Sequence, residues 1–367
     1  MANNTTIPGQ NFCGFGGAMA ETTELKIAAF VLVIIVSLLG NVVLCLVVYK
    51  NKEMHSTINY IIVNIAVSDV LVPVFALTRQ IIELSSGSLV WRVRGPLGNF
   101  FCKFVFFVSD LSPIVSITSL VYLSSERLTA VFFPFKASRL NSTFRKCLIA
   151  LTWFIAAAFC LPHFYTFRLN ESDCCIMSWE PAFENEAARD VYISLLLTLF
   201  IMIPFAFMIV VYILILYKLR ASPVRFKPTK AVKQKRERIN RSVTLLSFGI
   251  VLAFGVCWGP YFGVLTVVSY GWEWEFSNAP ANWESLWFGA QFMCYANTAV
   301  NPFLCLLFMK NYREGVKKLF AASKGIHNSG KDTRTITTRK TSQGGGWKSK
   351  QKSSRHGQTL ECHTTIV

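Results

Sequence analysis

The chain reads as an all-α integral membrane protein, a seven-transmembrane helix bundle with a short amphipathic membrane-surface helix. Three observations lead there. Charged residues make up only 16% of the 367, hydrophobic residues 53%, and mean hydropathy is +0.42, whereas soluble domains carry charge at about a quarter of their positions. Seven stretches reach the ~20 mostly apolar residues that a bilayer-crossing helix needs. Lysine and arginine are distributed very unequally between the segments that join those stretches.

The spans fall at about 27–49, 58–84, 99–132, 147–167, 191–217, 243–270 and 285–309. The third is punctuated by Asp110, Ser112, Ser116, Ser119, Ser124 and Ser125, a polar stripe that suits a helix at the centre of a bundle. Pro73, Pro113, Pro162, Pro204, Pro260 and Pro302 lie inside spans. Membrane helices tolerate proline because neighbours and water satisfy the freed carbonyls, so kinks are expected there. The organisation is an extracellular tail over 1–25, a seven-helix bundle over 26–309, an amphipathic juxtamembrane helix over 310–322 and a disordered tail over 323–367. No internal repeat is visible, which disfavours inverted-repeat transporters.

Placing the 50–57 loop inside puts thirty of the 37 Lys and Arg residues on that face. This predicts a multi-pass plasma-membrane protein with its N-terminus outside and its C-terminus in the cytoplasm. It also accounts for the net charge of +17 without nucleic acid. The 25 residues before the first span are polar and show no cleavable signal. Sequons at Asn3, Asn4 and Asn170 fall on the outer side, as glycosylation requires, whereas those at Asn141 and Asn240 fall inside.

Each span carries polar or kink-forming landmarks, and polar groups in hydrocarbon are functional candidates by default. They are Gly40-Asn41, Asn64 with Asp69, Glu126-Arg127, Trp153, Pro204 with Tyr212, Cys257-Trp258-Gly259-Pro260, and Asn297 with Asn301-Pro302. Taken in order, with Cys102 25 residues before Arg127, this set resembles the rhodopsin-like (class A) G-protein-coupled receptors over about residues 27–322. The resemblance implies a receptor that catalyses nucleotide exchange on a heterotrimeric G protein and is not itself an enzyme. It implies a bridge from Cys102 to the second outer loop, where Cys174 and Cys175 are adjacent. The spare cysteine could pair with Cys13, or Cys13 could stay free.

Asp69, Ser116, Asn297 and Asn301 match the family's sodium pocket, which makes a sodium ion a candidate allosteric ligand and leaves no other cofactor expected. Oxygen ligands from several helices suit a hard cation; the alternative is a protonated Asp69 bonded to Asn301. Ile117, Pro204 and Phe254 match the trio that repacks on activation, although for Ile117 and Phe254 core packing is the plainer reading. Glu126 matches the residue that restrains Arg127 at rest through a charge-assisted bond, and Tyr212 matches the partner of Arg127 in the active state. As an alternative, Arg127 is an interfacial anchor.

The sequence departs from the pattern at three places. Leu128 follows Glu126-Arg127 where tyrosine is usual, Cys305 stands where tyrosine ends the Asn301-Pro302 motif, and Asn240 replaces the acidic residue that often holds Arg127. The lost charged lock favours raised basal signalling, because it is stronger than the lost phenol contact.

For the ligand, the monoamine position 18 residues before Arg127 is Ser109, and Asp110 is turned ~100° away from it on a helix. The retinal-lysine position is Tyr295, which disfavours an opsin. The cavity is expected to be lined by Ser109, Asp110, Trp258, Tyr261, Gln291 and Tyr295. Nine carboxylates (Glu171, Asp173, Glu180, Glu184, Glu186, Asp190, Glu273, Glu275 and Glu284) and five tryptophans (Trp91, Trp179, Trp272, Trp274 and Trp283) lie in or beside the outer loops. Such a mouth would attract a cation and bind arginine through cation–π contacts, which points to the peptide-receptor branch and a short basic neuropeptide. The alternatives are a small molecule such as a monoamine, or a constitutively active orphan receptor; acidic loops also simply solvate an outer face.

On the cytoplasmic face, the basic 218–241 segment suits a G protein or anionic lipid. The terminal Thr365-Ile366-Val367 has the form of a PDZ ligand, read through Thr365 and Val367, and tail Ser and Thr residues fit kinase sites leading to arrestin.

Overall fold

The computed structural model describes residues 22–133, 142–221, 230–272, 274, 279–280 and 282–332; for 142, 219–221, 230–241 and 322–332 it describes the backbone. Asn3, Asn4, Cys13, Asn141, Glu273, Glu275, Thr365 and Val367 lie outside the described residues, as does the 333–367 part of the tail.

The spans are α1 (Thr23–Lys50), α2 (Thr57–Ser86), α3 (Gly95–Phe132), α4 (Thr143–Thr166), α5 (Asn185–Lys218), α6 (Lys230–Thr266) and α7 (Trp283–Phe308). The chain then bends by 101° into α8, Lys310–Asp332. The helix runs past the expected end at 322, with no proline in 310–332 to stop it; residues from Ala321 belong to a second compact unit. Two spans contain a π-helical stretch, Val72–Leu77, holding Pro73, and Thr198–Met202, just before Pro204; a third such stretch, Val267–Gly271, continues α6. Extra-wide turns of this kind release carbonyls from the helical ladder, and Thr78 Oγ1 donates to Pro73 O at 3.1 Å.

Packing is decided by buried polar joints. Asn64 Nδ2 donates to Ser119 Oγ at 2.9 Å and to Thr152 Oγ1 at 3.1 Å, while Trp153 Nε1 donates to Asn64 Oδ1 at 2.7 Å. One amide thus fastens α2, α3 and α4. Asn41 Nδ2 donates to Thr298 O at 2.8 Å and fastens α1 to α7. The backbones approach closely there, because a Cβ on Gly40 would stand 2.8 Å from Pro302 Cγ. Around these joints lies an apolar core that includes Ile61, Ile65, Val115, Leu120, Leu123, Met208 and Leu246.

The loop between α4 and α5, expected on the outer side, folds into a hairpin of β1 (Phe167–Leu169) and β2 (Cys175–Met177), paired Phe167↔Met177 through Leu169↔Cys175. Cys175, rather than Cys174, bridges to Cys102 on α3 with Cα atoms 5.7 Å apart; Cys174 is disulfide-bonded as well. The hairpin is thereby pinned over the outer end of the bundle.

Replacing Asn64 with Leu is expected to remove three interhelical bonds, a loss of about 1–2 kcal/mol on the membrane-protein scale. The thermal midpoint in detergent should fall by a few degrees, about 2–4 °C per kcal/mol for a chain of a few hundred residues. An unchanged midpoint would show that the joint contributes nothing.

Candidate functional site

Three polar centres lie along the bundle. At the outer end, α3, α4, α5, α6 and α7 place Asp110, His163, Tyr192, Tyr261 and Tyr295 around one region. His163 Nε2 donates to Asp110 Oδ2 at 2.7 Å, with Tyr192 Oη 3.5 Å from His163 Nδ1. The histidine is buried, but the Asp110 side chain is 48% exposed. Ser109 turns its hydroxyl back onto Val105 O at 2.6 Å. The neighbouring positions therefore differ as their helical offset requires: Asp110 presents charge and Ser109 does not.

Trp258 anchors an aromatic column. It stacks on Phe254 at 5.7 Å and on Phe262 at 5.4 Å, and meets Tyr261 edge-on at 5.9 Å. The column continues through Trp287 to Trp283 and Trp272. Tyr295 packs against Phe30 and lies beside Gln80; Gln291 is half-buried one turn outward.

Sequence reading missed Arg79 and Glu83. Arg79 Nη1 donates to Glu83 Oε1 at 2.6 Å, and the guanidinium lies 4.7 Å from the Phe106 ring, which stacks on Phe167 of β1. The signal was available as opposite charges one helical turn apart inside an apolar run. His163 was missed because it meets Asp110 only across the α3–α4 packing.

The loop carboxylates are partly used up. Asp173 pairs with Arg94 at 3.0 Å and Asp190 with Arg189 at 3.6 Å, while Arg189 also covers Trp274 at 4.5 Å. Glu171, Glu180, Glu184 and Glu186 are exposed and form no salt bridge among the described residues. Trp91 lies to one side, against α2 and α3.

At the centre, Asp69 is 1% exposed. Asn301 Nδ2 donates to its Oδ2 at 2.7 Å, and Ser116 Oγ to its Oδ1 at 3.4 Å; Ser68 and Ser116 hydroxyls are 3.1 Å apart. The side-chain oxygens of Asn297 and Asn301 are buried with no hydrogen-bond partner among the described residues. All four expected residues are thus buried on three helices, with orphaned oxygens beside a carboxylate. Such a donor set suits a hard cation.

At the inner end, Arg127 Nε donates to Glu126 Oε2 at 2.7 Å and Nη2 reaches the same oxygen, with both side chains shielded. Tyr212 is buried, its ring 5.6 Å from Phe248. Ile117, Pro204 and Phe254 are buried, Phe254 lying 6.1 Å from Phe205. Cys305 is buried where the phenol is missing, but a phenol enters seven residues later. Tyr312 of α8 is buried, and its hydroxyl donates to Asn59 Oδ1 at 3.1 Å, while Asn59 Nδ2 donates to Met54 O at 2.6 Å. Arg313 Nη1 donates to Leu306 O and Leu307 O, both at 2.8 Å, and caps the carbonyl end of α7.

This bundle and its polar centres define a seven-helix membrane receptor. The family model described as "7 transmembrane receptor (rhodopsin family)" matches residues 40–304, and the chain belongs to that family. Among similar proteins, rat Neuropeptide FF receptor 1 is 28% identical over 323 residues, 83% of this chain and 72% of that protein. Somatostatin receptor type 5 of Bos taurus is 28% identical over 322 residues, covering 87% and 82%. The RYamide receptor of Drosophila melanogaster is 26% identical over 323 residues, covering 84% and 66%.

Changing Tyr312 to Phe is expected to loosen α8 by about 1 kcal/mol, the net worth of a neutral hydrogen bond. Backbone amides over 310–320 should then exchange with deuterium roughly fivefold faster. Equal rates would assign no anchoring role to the hydroxyl.

Proposed function

We propose that this chain is a plasma-membrane receptor that binds a short basic peptide outside the cell and activates a heterotrimeric G protein inside. The observation that carries the ligand reading is the half-exposed Asp110 carboxylate, oriented by His163 beside an aromatic column and below four exposed glutamates, three on the loop and Glu186 in the first turn of α5. A cationic side chain descending into that region exchanges water for a fixed carboxylate and aromatic faces. Relatives named for neuropeptide FF, somatostatin and RYamide support a peptide. The Ser109 hydroxyl, bonded back into its own helix, weighs against a monoamine.

The inner reading rests on the Glu126–Arg127 pair. Held together, the two charges keep Arg127 from a partner; parting them frees the guanidinium for the G protein, with Tyr212 as its next neighbour. Asp69, Ser116, Asn297 and Asn301 would hold a sodium ion, which supplies a compensating charge for the carboxylate at rest. The N-terminus and the sequons are assigned to the outside, with Asn170 as a glycan acceptor. The cytoplasmic tail is assigned arrestin contacts and, through Thr365 and Val367, a PDZ domain.

The direct test is nucleotide exchange on G proteins in membranes carrying the chain, challenged with tissue extract before and after protease digestion. Stimulation is expected to vanish on digestion, and stimulation that survives would exclude a peptide. With a purified agonist, Asp110→Asn is expected to weaken binding about tenfold, the lower end of a charged hydrogen bond because the group is half-exposed. Glu126→Gln should raise basal exchange several-fold and Arg127→Ala should abolish exchange; basal exchange unchanged by Glu126→Gln would remove the lock from the mechanism. Sodium should lower agonist affinity in the parent and leave Asp69→Asn unaffected.

A further inference from the structure

A second site opens sideways, toward the lipid. Between the outer halves of α2 and α3, beneath the 87–94 loop, lies a cavity of about 260 Å3 walled mainly by apolar side chains, among them Val74, Phe75, Phe101 and Val105. Val74, Ile82 and Phe101 on its rim are exposed on the outside of the bundle, so in a membrane the opening faces acyl chains. Its volume is near the lower limit of small-molecule pockets, about 300–1,000 Å3, which admits one chain rather than a two-chain phospholipid.

The roof is rigid and cationic. Val90 bridges to Cys174, Trp91 N donates to Asp173 O at 2.8 Å, and Arg94 pairs with Asp173. A second, polar cavity lined by Ser86, Ser88, Arg92 and Arg94 shares Val90, Trp91 and Arg92 with the first. The apolar chamber therefore lies next to a basic one, with Val90, Trp91 and Arg92 in the wall of both. Arg92 forms no salt bridge among the described residues. Trp91, at the junction, has the amphipathic ring that settles at a membrane–water boundary.

We propose that this composite site binds a single-chain anionic amphiphile of the long-chain fatty-acid type, which enters from the surrounding leaflet. The tail fills the chamber between α2 and α3, and the carboxylate meets the Arg92 guanidinium fork, a planar, two-pronged match. Arg79 and Glu83 contribute to the inner wall of the chamber, so an occupied chamber abuts the charged pair that faces the ligand region on its other side. The proposal requires only that the chain spans a bilayer and stands apart from the peptide reading.

The test uses the full-length receptor in nanodiscs of zwitterionic phospholipid, with a diazirine-bearing palmitate as photoprobe and mass spectrometry to locate the label. Saturable labelling on the peptides holding Ile82 and Phe101 is expected, competed by palmitate and not by its methyl ester. Arg92→Gln, on an exposed loop, should raise the half-saturating probe concentration at least tenfold. Ile82→Trp should abolish labelling by filling the chamber, with an unchanged thermal midpoint as the check on folding. Labelling that is unsaturable and spread over all lipid-facing spans would overturn the proposal. So would equal competition by the methyl ester, indifference to Arg92→Gln, or displacement by cholesterol in place of palmitate.

Discussion

A polar group within a bilayer must find its partner inside the protein, since lipid offers none. In this chain that constraint is met by the Asn64 side chain, whose bonds to Ser119, Thr152 and Trp153 hold three helices in one register. The register of α2 against α3 sets Asp69, five residues after Asn64, opposite Ser116, three residues before Ser119. It also runs α3 on to Arg127 at one end and back to Asp110 at the other. Apolar packing around the joint adds stability but little direction, because lipid tails are as apolar as the leucines they touch.

The two ends of the bundle treat charge differently. At one end, Arg127 and Glu126 are both shielded and satisfy each other, an arrangement in which either partner left alone is costly. At the other, Asp110 is held by a buried histidine and remains half open, so it keeps attraction for a further cation. Between them, Asp69 has amide and hydroxyl donors and no salt bridge among the described residues, and the side-chain oxygens of Asn297 and Asn301 are buried without a hydrogen-bond partner among the described residues. The same side-chain chemistry thus appears as a closed ion pair, a half-open carboxylate and a buried carboxylate with neutral donors, depending on how much of it is left unsatisfied.

The fold was legible in the residues. Seven apolar runs of bilayer length predicted seven helices whose ends fall within a few residues for most spans, the exceptions being the outer start of α5 and the inner start of α6. Those ends are polar, and a helix that leaves the membrane no longer needs apolar residues to continue. The mid-bundle quartet around Asp69 was legible too, because single polar residues in hydrocarbon stand out. Arg79 and Glu83 were overlooked although they carried that same signature, lying near the end of an apolar run rather than at its middle.

The sequence by itself determined the number of spans, the concentration of basic residues on one face and the identity of the polar residues inside the bundle, since these follow from local hydropathy and bilayer thickness. Tertiary structure decided the pairings. It selected Cys175 over Cys174 for Cys102, joined His163 to Asp110, and gave Tyr312 the buried hydroxyl contact with Asn59 near the vacated phenol position of Cys305. Each of these joins residues from separate elements, 53 to 253 positions apart. Their meeting depends on the rotation and crossing of packed helices, which the apolar pattern along one helix does not encode.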